Sequence, residues 1–227
     1  MRFLYSIFFL IIAGYLSAQA TIFYSKAPSA SNVWNDTRNW NPNRLPNADD
    51  IVELGNGHTV ILAGDNVVVK ALEIRAQAKL IVDDPNVRLD IQGSGSDGLR
   101  MTLRGELDIQ AGTVAIRDAQ RDGVYMENFS KITNTGSLLI SSFNDEGLYF
   151  KTNSAITNHG NLFIDQLNNG DSPICFVGVD GTFTNSDNGL LVVSKCQDSP
   201  STDIIQINGG VLFEDRGETI IHAINCN

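Results

Sequence analysis

Gly123 to Ile140 reads GVYMENFSKITNTGSLLI, and Gly147 to Ile164 reads GLYFKTNSAITNHGNLFI. The two align without a gap at an offset of 24 residues, with nine identities in 18 positions. Upstream, Gly112, Val114 and Ile116 stand 24 residues before Gly136, Leu138 and Ile140. Downstream, Thr184-Asn185 follows Thr157-Asn158 at an offset of 27, Phe213 echoes Phe183, and Gly217 echoes Gly189. The repeat therefore runs from about Gly98 to the C-terminus, in about five units of roughly 24 to 30 residues. A fixed period of this size is the mark of a solenoid or of a radial array of like units.

The content of each unit decides between them. In the unit from Gly147, three short apolar segments occur: Leu148-Tyr149-Phe150, Ala155-Ile156 and Leu162-Phe163-Ile164. Gly, Asn, Ser and Thr separate them, and none has the apolar spacing of a helix, which removes the helical and leucine-rich repeats. Three strands in about 24 residues make one turn of a three-sided coil, each strand pairing in parallel with its counterpart one turn on, about 4.8 Å away. The predicted fold class is all-β, a parallel β-solenoid (three-sided β-helix) with an N-terminal β cap segment. One turn cannot bury its inward face alone. Stacking buries a continuous column of Leu, Ile, Val and Phe, each contributing roughly 1.5–3 kcal/mol when fully buried. Asn134, Asn158 and Asn185 are expected to stack as an amide ladder.

The chain of 227 residues opens with Arg2, an apolar run from Phe3 to Leu16, and the small-residue stretch Leu16-Ser17-Ala18-Gln19-Ala20. This is the pattern of a secretory signal peptide, residues 1–20, and implies a secreted or cell-surface location. No later run approaches the roughly 20 apolar residues of a membrane-spanning helix. The formal net charge of −10 argues against a nucleic-acid partner, which calls for a basic face, and is compatible with a bound calcium ion. Cys175, Cys196 and Cys226 form an odd set: one pair could bridge, or all three could be buried apolar residues.

Residues 21–82 differ in texture from the repeats at 83–227. The only two tryptophans, Trp34 and Trp40, are followed by Pro42, Pro46, Asp49-Asp50-Ile51-Val52, and then Gly55-Asn56-Gly57-His58-Thr59-Val60-Ile61-Leu62. Leu72-Glu73-Ile74 and Lys79-Leu80-Ile81-Val82 read as further strands. Over roughly Trp34 to Val82, this order resembles G8-type modules and the parallel β-helix surface proteins of secreted bacterial (Bacteroidetes-type) origin in which such modules precede solenoids. The resemblance implies extracellular adhesion or glycan-related work and carries no catalytic residues with it. On physical grounds, Trp34 and Trp40 are expected to close the first turn of the core, because an open solenoid end invites aggregation. The alternative is a stacking platform for a sugar. The C-terminal strand Ile220-Ile221-His222-Ala223-Ile224 has no matching cover, which makes that edge a candidate for association.

Chemistry is scarce by comparison. His58, His159 and His222 have no metal-ligand spacing. Gly93-Ser94-Gly95-Ser96-Asp97-Gly98 follows a strand but opens no helix, so it reads as a turn and not a phosphate cradle. Asp118, Asp122, Asp145 and Asp165 could supply acids to a polysaccharide lyase or hydrolase. At a strict 24-residue offset, however, Asp118 falls on Ser142 and Gln166, which breaks the register. The expected role is that of a non-catalytic extracellular adhesive, glycan-binding or scaffold protein, with a polysaccharide-degrading β-helix as the alternative. A register-matched cluster of carboxylates with Lys or Arg in a groove would favour the latter.

Overall fold

The computed structural model describes residues 20–24, 31–92, 96–166, 172–177, 180–196 and 204–224. The signal peptide, Gly93 to Gly95 and Cys226 lie outside these. Among the described residues the strands form three sheets, one of nine strands and two of seven. Successive strands in the chain pass from the first sheet to the second to the third. Each pairs in parallel with its counterpart one turn later: Leu148 lies beside Val124 and Ile174, Ile156 beside Ile132 and Phe183, and Leu162 beside Leu138 and Leu191. The protein is a three-sided parallel β-solenoid.

The repeat legible from Gly98 onward supplies five turns. Two more precede it, built from Ile51–Leu54, Thr59–Leu62 and Val67–Val69, then Ala71–Ile74, Lys79–Val82 and Arg88–Gln92. Lys79–Val82 pairs directly with Glu106–Ile109, so the sheets run without a break through position 82.

Period-two alternation drives the coil. Strands such as Thr59–Leu62, Lys79–Val82 and Ala155–Asn158 alternate half-buried and buried positions, and the buried set lines the axis. A one-residue slip would turn every apolar side chain outward, so the pattern holds the register. Inward columns run the length of the molecule, for example Leu89, Val114, Leu138, Leu162 and Leu191, all essentially inaccessible to solvent.

One inward column changes character. It begins as Leu62, Val82 and Ile109 and continues as Asn134, Asn158, Asn185 and Asp215. The amides satisfy one another. Asn134 Nδ2 donates to Asn158 Oδ1 at 2.7 Å, Asn158 Nδ2 to Asn185 Oδ1 at 2.8 Å, and Asn185 Nδ2 to Asp215 Oδ1 at 2.9 Å. Each also donates to a main-chain carbonyl of a following strand, as Asn134 does to Asn161 at 2.9 Å. A buried polar group is tolerated only when so paired. The expected ladder is present and extends one rung further, to a carboxylate.

The N-terminal end is closed. Thr21–Tyr24 adds to the first sheet, parallel to Ile51–Leu54 and antiparallel to Trp40–Asn41. Trp34 and Trp40 are 1% and 0% exposed, 4.8 Å apart between ring centroids, with Tyr24 edge-on to Trp40 at 5.2 Å. Trp40 Nε1 donates to the Trp34 carbonyl at 2.8 Å, and the Trp34 N–H donates to the Ile61 carbonyl, tying the cap to the first complete turn. No helix among the described residues is long and apolar enough to cross a membrane.

Candidate functional site

The corner between the third sheet and the first is built the same way in three successive turns. An acidic residue precedes a glycine each time: Asp97-Gly98, Asp122-Gly123 and Glu146-Gly147. The glycines are there because the corners stack backbone on backbone. A Cβ on Gly123 would strike Ile140 Cγ2 and the Gly147 carbonyl, and one on Gly147 would strike Ile164 Cγ2 and the Pro173 carbonyl. Main-chain bonds lock the stack, from Gly98 N–H to the Asp122 carbonyl at 2.9 Å and from Gly123 N–H to the Glu146 carbonyl at 2.8 Å. Carboxyl groups on adjacent turns are thereby brought together.

Oxygen atoms of Asp122, Asp145 and Glu146 all lie within 4.8 Å of one another. Asp122 is only 2% exposed, while Asp145 and Glu146 are half-buried. The Glu146 N–H donates to Asp122 Oδ1 at 3.3 Å. Burial, opposed by the hydrogen bond from Glu146 and reinforced by the charge of Asp97, pushes the Asp122 carboxyl above its ordinary range. Cations frame the acids. Arg100 pairs with Asp97 at 3.2 Å, and Arg121 reaches Asp145 at 3.7 Å and Asp97 at 4.0 Å.

The first-sheet strands Leu99–Met101, Val124–Met126 and Leu148–Phe150 supply the floor. Their outward residues Arg100, Tyr125 and Tyr149 are neighbours in register. The two tyrosine rings lie 5.6 Å apart at 34°. Arg100 sits over the Tyr125 ring at 4.6 Å, and Lys151 Nζ lies 5.3 Å from Tyr125 and 5.7 Å from Tyr149. Tyr125 Oη donates to Glu127 Oε2 at 2.7 Å. The Lys151 ammonium is held above its ordinary range, chiefly by its hydrogen bond to the Tyr125 hydroxyl. Burial raises both tyrosines as well. Together these groups enclose a polar depression of about 490 Å³, within the roughly 300–1,000 Å³ of small-molecule sites.

Of the four acids singled out from sequence, Asp122 and Asp145 meet here. Asp118 is exposed and lies near Asp49 and Lys70, and Asp165 stands on the outer face of the third sheet between Ser141 and Ser194. Sequence reasoning missed Asp97, Glu146 and the Tyr125–Tyr149 pair. The signal was present: an acid-Gly dipeptide recurs at offsets of 25 and 24, and Tyr125 and Tyr149 had already been matched as repeat positions.

Trp34 borders a separate depression of about 300 Å³ with Asn35, Asp65 and Asn66. Trp34 and Trp40 are both buried, however, and neither offers the open ring face that a stacking platform needs. Cys175 is buried beside Tyr149 in the first sheet, with its Sγ 3.6 Å from Gln206 Oε1. His159 and His222 are exposed, and His58 packs against Tyr24 at 5.3 Å between rings.

The fold and site define a class: a three-sided parallel β-solenoid carrying a tyrosine-floored groove of mixed charge on one face. Comparison with protein-family models, with characterised proteins and with solved structures returns no match.

Proposed function

We propose that this is a secreted or cell-surface glycan-binding protein that seats a polar sugar in the groove over Tyr125 and Tyr149. The observation that carries this reading is the juxtaposition, on consecutive turns of a rigid sheet, of stacked tyrosines with carboxylates, two arginines and a lysine around one depression. Sugars present both apolar C–H faces and dense hydroxyls, and a site of this composition answers both. The floor lies on strands paired to neighbours on both sides, so little order is lost on binding. The leader-like residues 1–20, the acidic balance and the G8-like segment support an extracellular adhesive or scaffold setting.

A glycan array probed with the chain from residue 21 onward tests the reading. The expected result is retention of a restricted set of glycans, with Tyr149→Ala weakening binding at least about tenfold, a loss of about 1.4 kcal/mol. Binding that is indifferent to Tyr149→Ala and Lys151→Ala would place the ligand elsewhere.

A further inference from the structure

The groove holds more than a binding surface needs. Two of its carboxyl groups sit in opposite environments. Asp122 is shielded from solvent and lies against Glu146 and near the charge of Asp97. Asp145 has a half-exposed side chain and lies 3.7 Å from the Arg121 guanidinium, which favours its ionised form. Paired titratable groups whose surroundings drive them apart are the arrangement that assigns an acid and a base. Their oxygens are within 4.8 Å of one another. In glycoside cleavage a spacing near 5–5.5 Å goes with a carboxylate nucleophile, whereas roughly 6.5–9.5 Å leaves room for a water between the groups. Two tyrosine rings and Lys151 flank the same depression.

We infer that the groove hydrolyses a glycoside with retention of configuration, Asp122 serving as general acid and Asp145 as nucleophile. This rests on the glycan-binding reading of the same site. In the first step the Asp122 carboxyl proton passes to the glycosidic oxygen, and the C1–O bond breaks with its electron pair leaving on that oxygen. An Asp145 carboxylate oxygen bonds to C1, giving a glycosyl ester. In the second step water adds at C1 and gives its proton to the Asp122 carboxylate, and the ester bond breaks to restore the Asp145 carboxylate. One water is consumed and two hydroxyl-ended sugars leave. Glu146 is a positioning residue that holds the Asp122 carboxyl. Asp97, Arg100, Arg121 and Lys151 are the other charged groups facing the pair. Burial raises Asp122 toward the operating pH, as a general acid requires.

The test uses the full mature chain with a panel of p-nitrophenyl glycosides and soluble α- and β-linked polysaccharides, scored for released reducing ends and by NMR for the anomer first formed. Cleavage with retained configuration is expected. Asp122→Asn should lower kcat by about 10²–10⁴-fold while glycan retention on the array persists. Glu146→Gln should move the alkaline limb of the kcat/KM profile. Asp145→Gly with added azide should yield a glycosyl azide, a product that a merely structural role cannot give. Cleavage with inversion, or cleavage untouched in Asp122→Asn, overturns the assignment. A glycan that binds at the groove but is never cleaved between about pH 4 and 8 overturns catalysis and leaves binding standing. Absence of any bound or cleaved glycan removes both.

Discussion

The two ends of the solenoid meet the same physical problem and treat it differently. At the N-terminal end, Thr21–Tyr24 and the Trp34–Trp40 pair cover the first turn, and Ile22, Tyr24, Trp34 and Trp40 are all buried. At the C-terminal end the last turn, built from Ile205–Asn208, Leu212–Asp215 and Glu218–Ile224, pairs on one side only among the described residues. Ile207, Leu212 and Ile221 are 47%, 54% and 49% exposed, although their counterparts one turn earlier, Phe176 and Val193 among them, are fully buried. Burial in a solenoid is therefore a property of neighbours and not of residue type. A side chain that forms core in the middle of the stack becomes surface at its end.

The comparison breaks most readily at the tryptophans. Trp40→Ala removes a fully buried ring and its hydrogen bond to Trp34, and is expected to destabilise by about 3–5 kcal/mol. Ile221→Ala at the open end should cost less than about 1 kcal/mol, since half of that side chain is already in water. Chemical denaturation of both variants decides it, and equal losses would mean that the two ends are equally covered in solution.

A smaller effect sharpens the difference through pH. The buried Asp50 carboxylate accepts both Arg44 guanidinium nitrogens at 2.6 Å and the Asn47 N–H at 2.8 Å, within the cap. Burial alone would raise Asp50, but the hydrogen bonds from Arg44 and Asn47 outweigh it and hold the group below the usual carboxylate range. A depressed folded-state pKa gives stability that is fully present above the unfolded value and is lost as pH falls through the folded one. Asp122, raised by burial, has the opposite sign: its contribution is present in acid and is lost as pH rises through its folded pKa. Acid should therefore loosen the cap before the middle turns. Arg44→Ala, which leaves a buried charge beside a partly exposed vacancy, should cost about 1–3 kcal/mol at neutral pH. Asp122→Asn should flatten the loss of stability at higher pH. Melting curves taken across pH with both variants check the two signs, and matching slopes would reject the assignment.

The smallest effect concerns association. The unpaired edge of Glu218–Ile224 can template another strand. Ile221→Lys is expected to reduce any self-association seen by light scattering while leaving the melting temperature nearly unchanged. A chain that stays monomeric at high concentration with or without the lysine would show that the edge is protected.

Much of the architecture is legible in the residues themselves. Two forces acting along the chain write it there: strict alternation, and a repeat spacing that brings like residues into register. The 24-residue offset placed Ile132 beside Ile156 and Asn134 beside Asn158, and both pairings hold. The two early turns between Ile51 and Gln92 were harder to see as part of the same coil. Stacking demands inward apolar residues, which Leu72, Leu80 and Leu89 provide, but it places no demand on identity.

The groove was illegible for a related reason. Its register is carried by corner glycines packed against the next turn, and the turns differ in length, with spacings of 25 and then 24 residues. A fixed offset counted from Asp118 therefore pointed away from the acids that meet. The sequence by itself determined the strand alternation, the parallel stacking and the asparagine ladder, because each follows from periodicity and from the need to satisfy buried polar groups. Only the tertiary structure decided that Asp97, Asp122 and Glu146 share a corner, that Tyr125 and Tyr149 floor it, and that the tryptophans are buried. Those outcomes depend on which side of the sheet a corner projects from and on what the neighbouring turn leaves exposed.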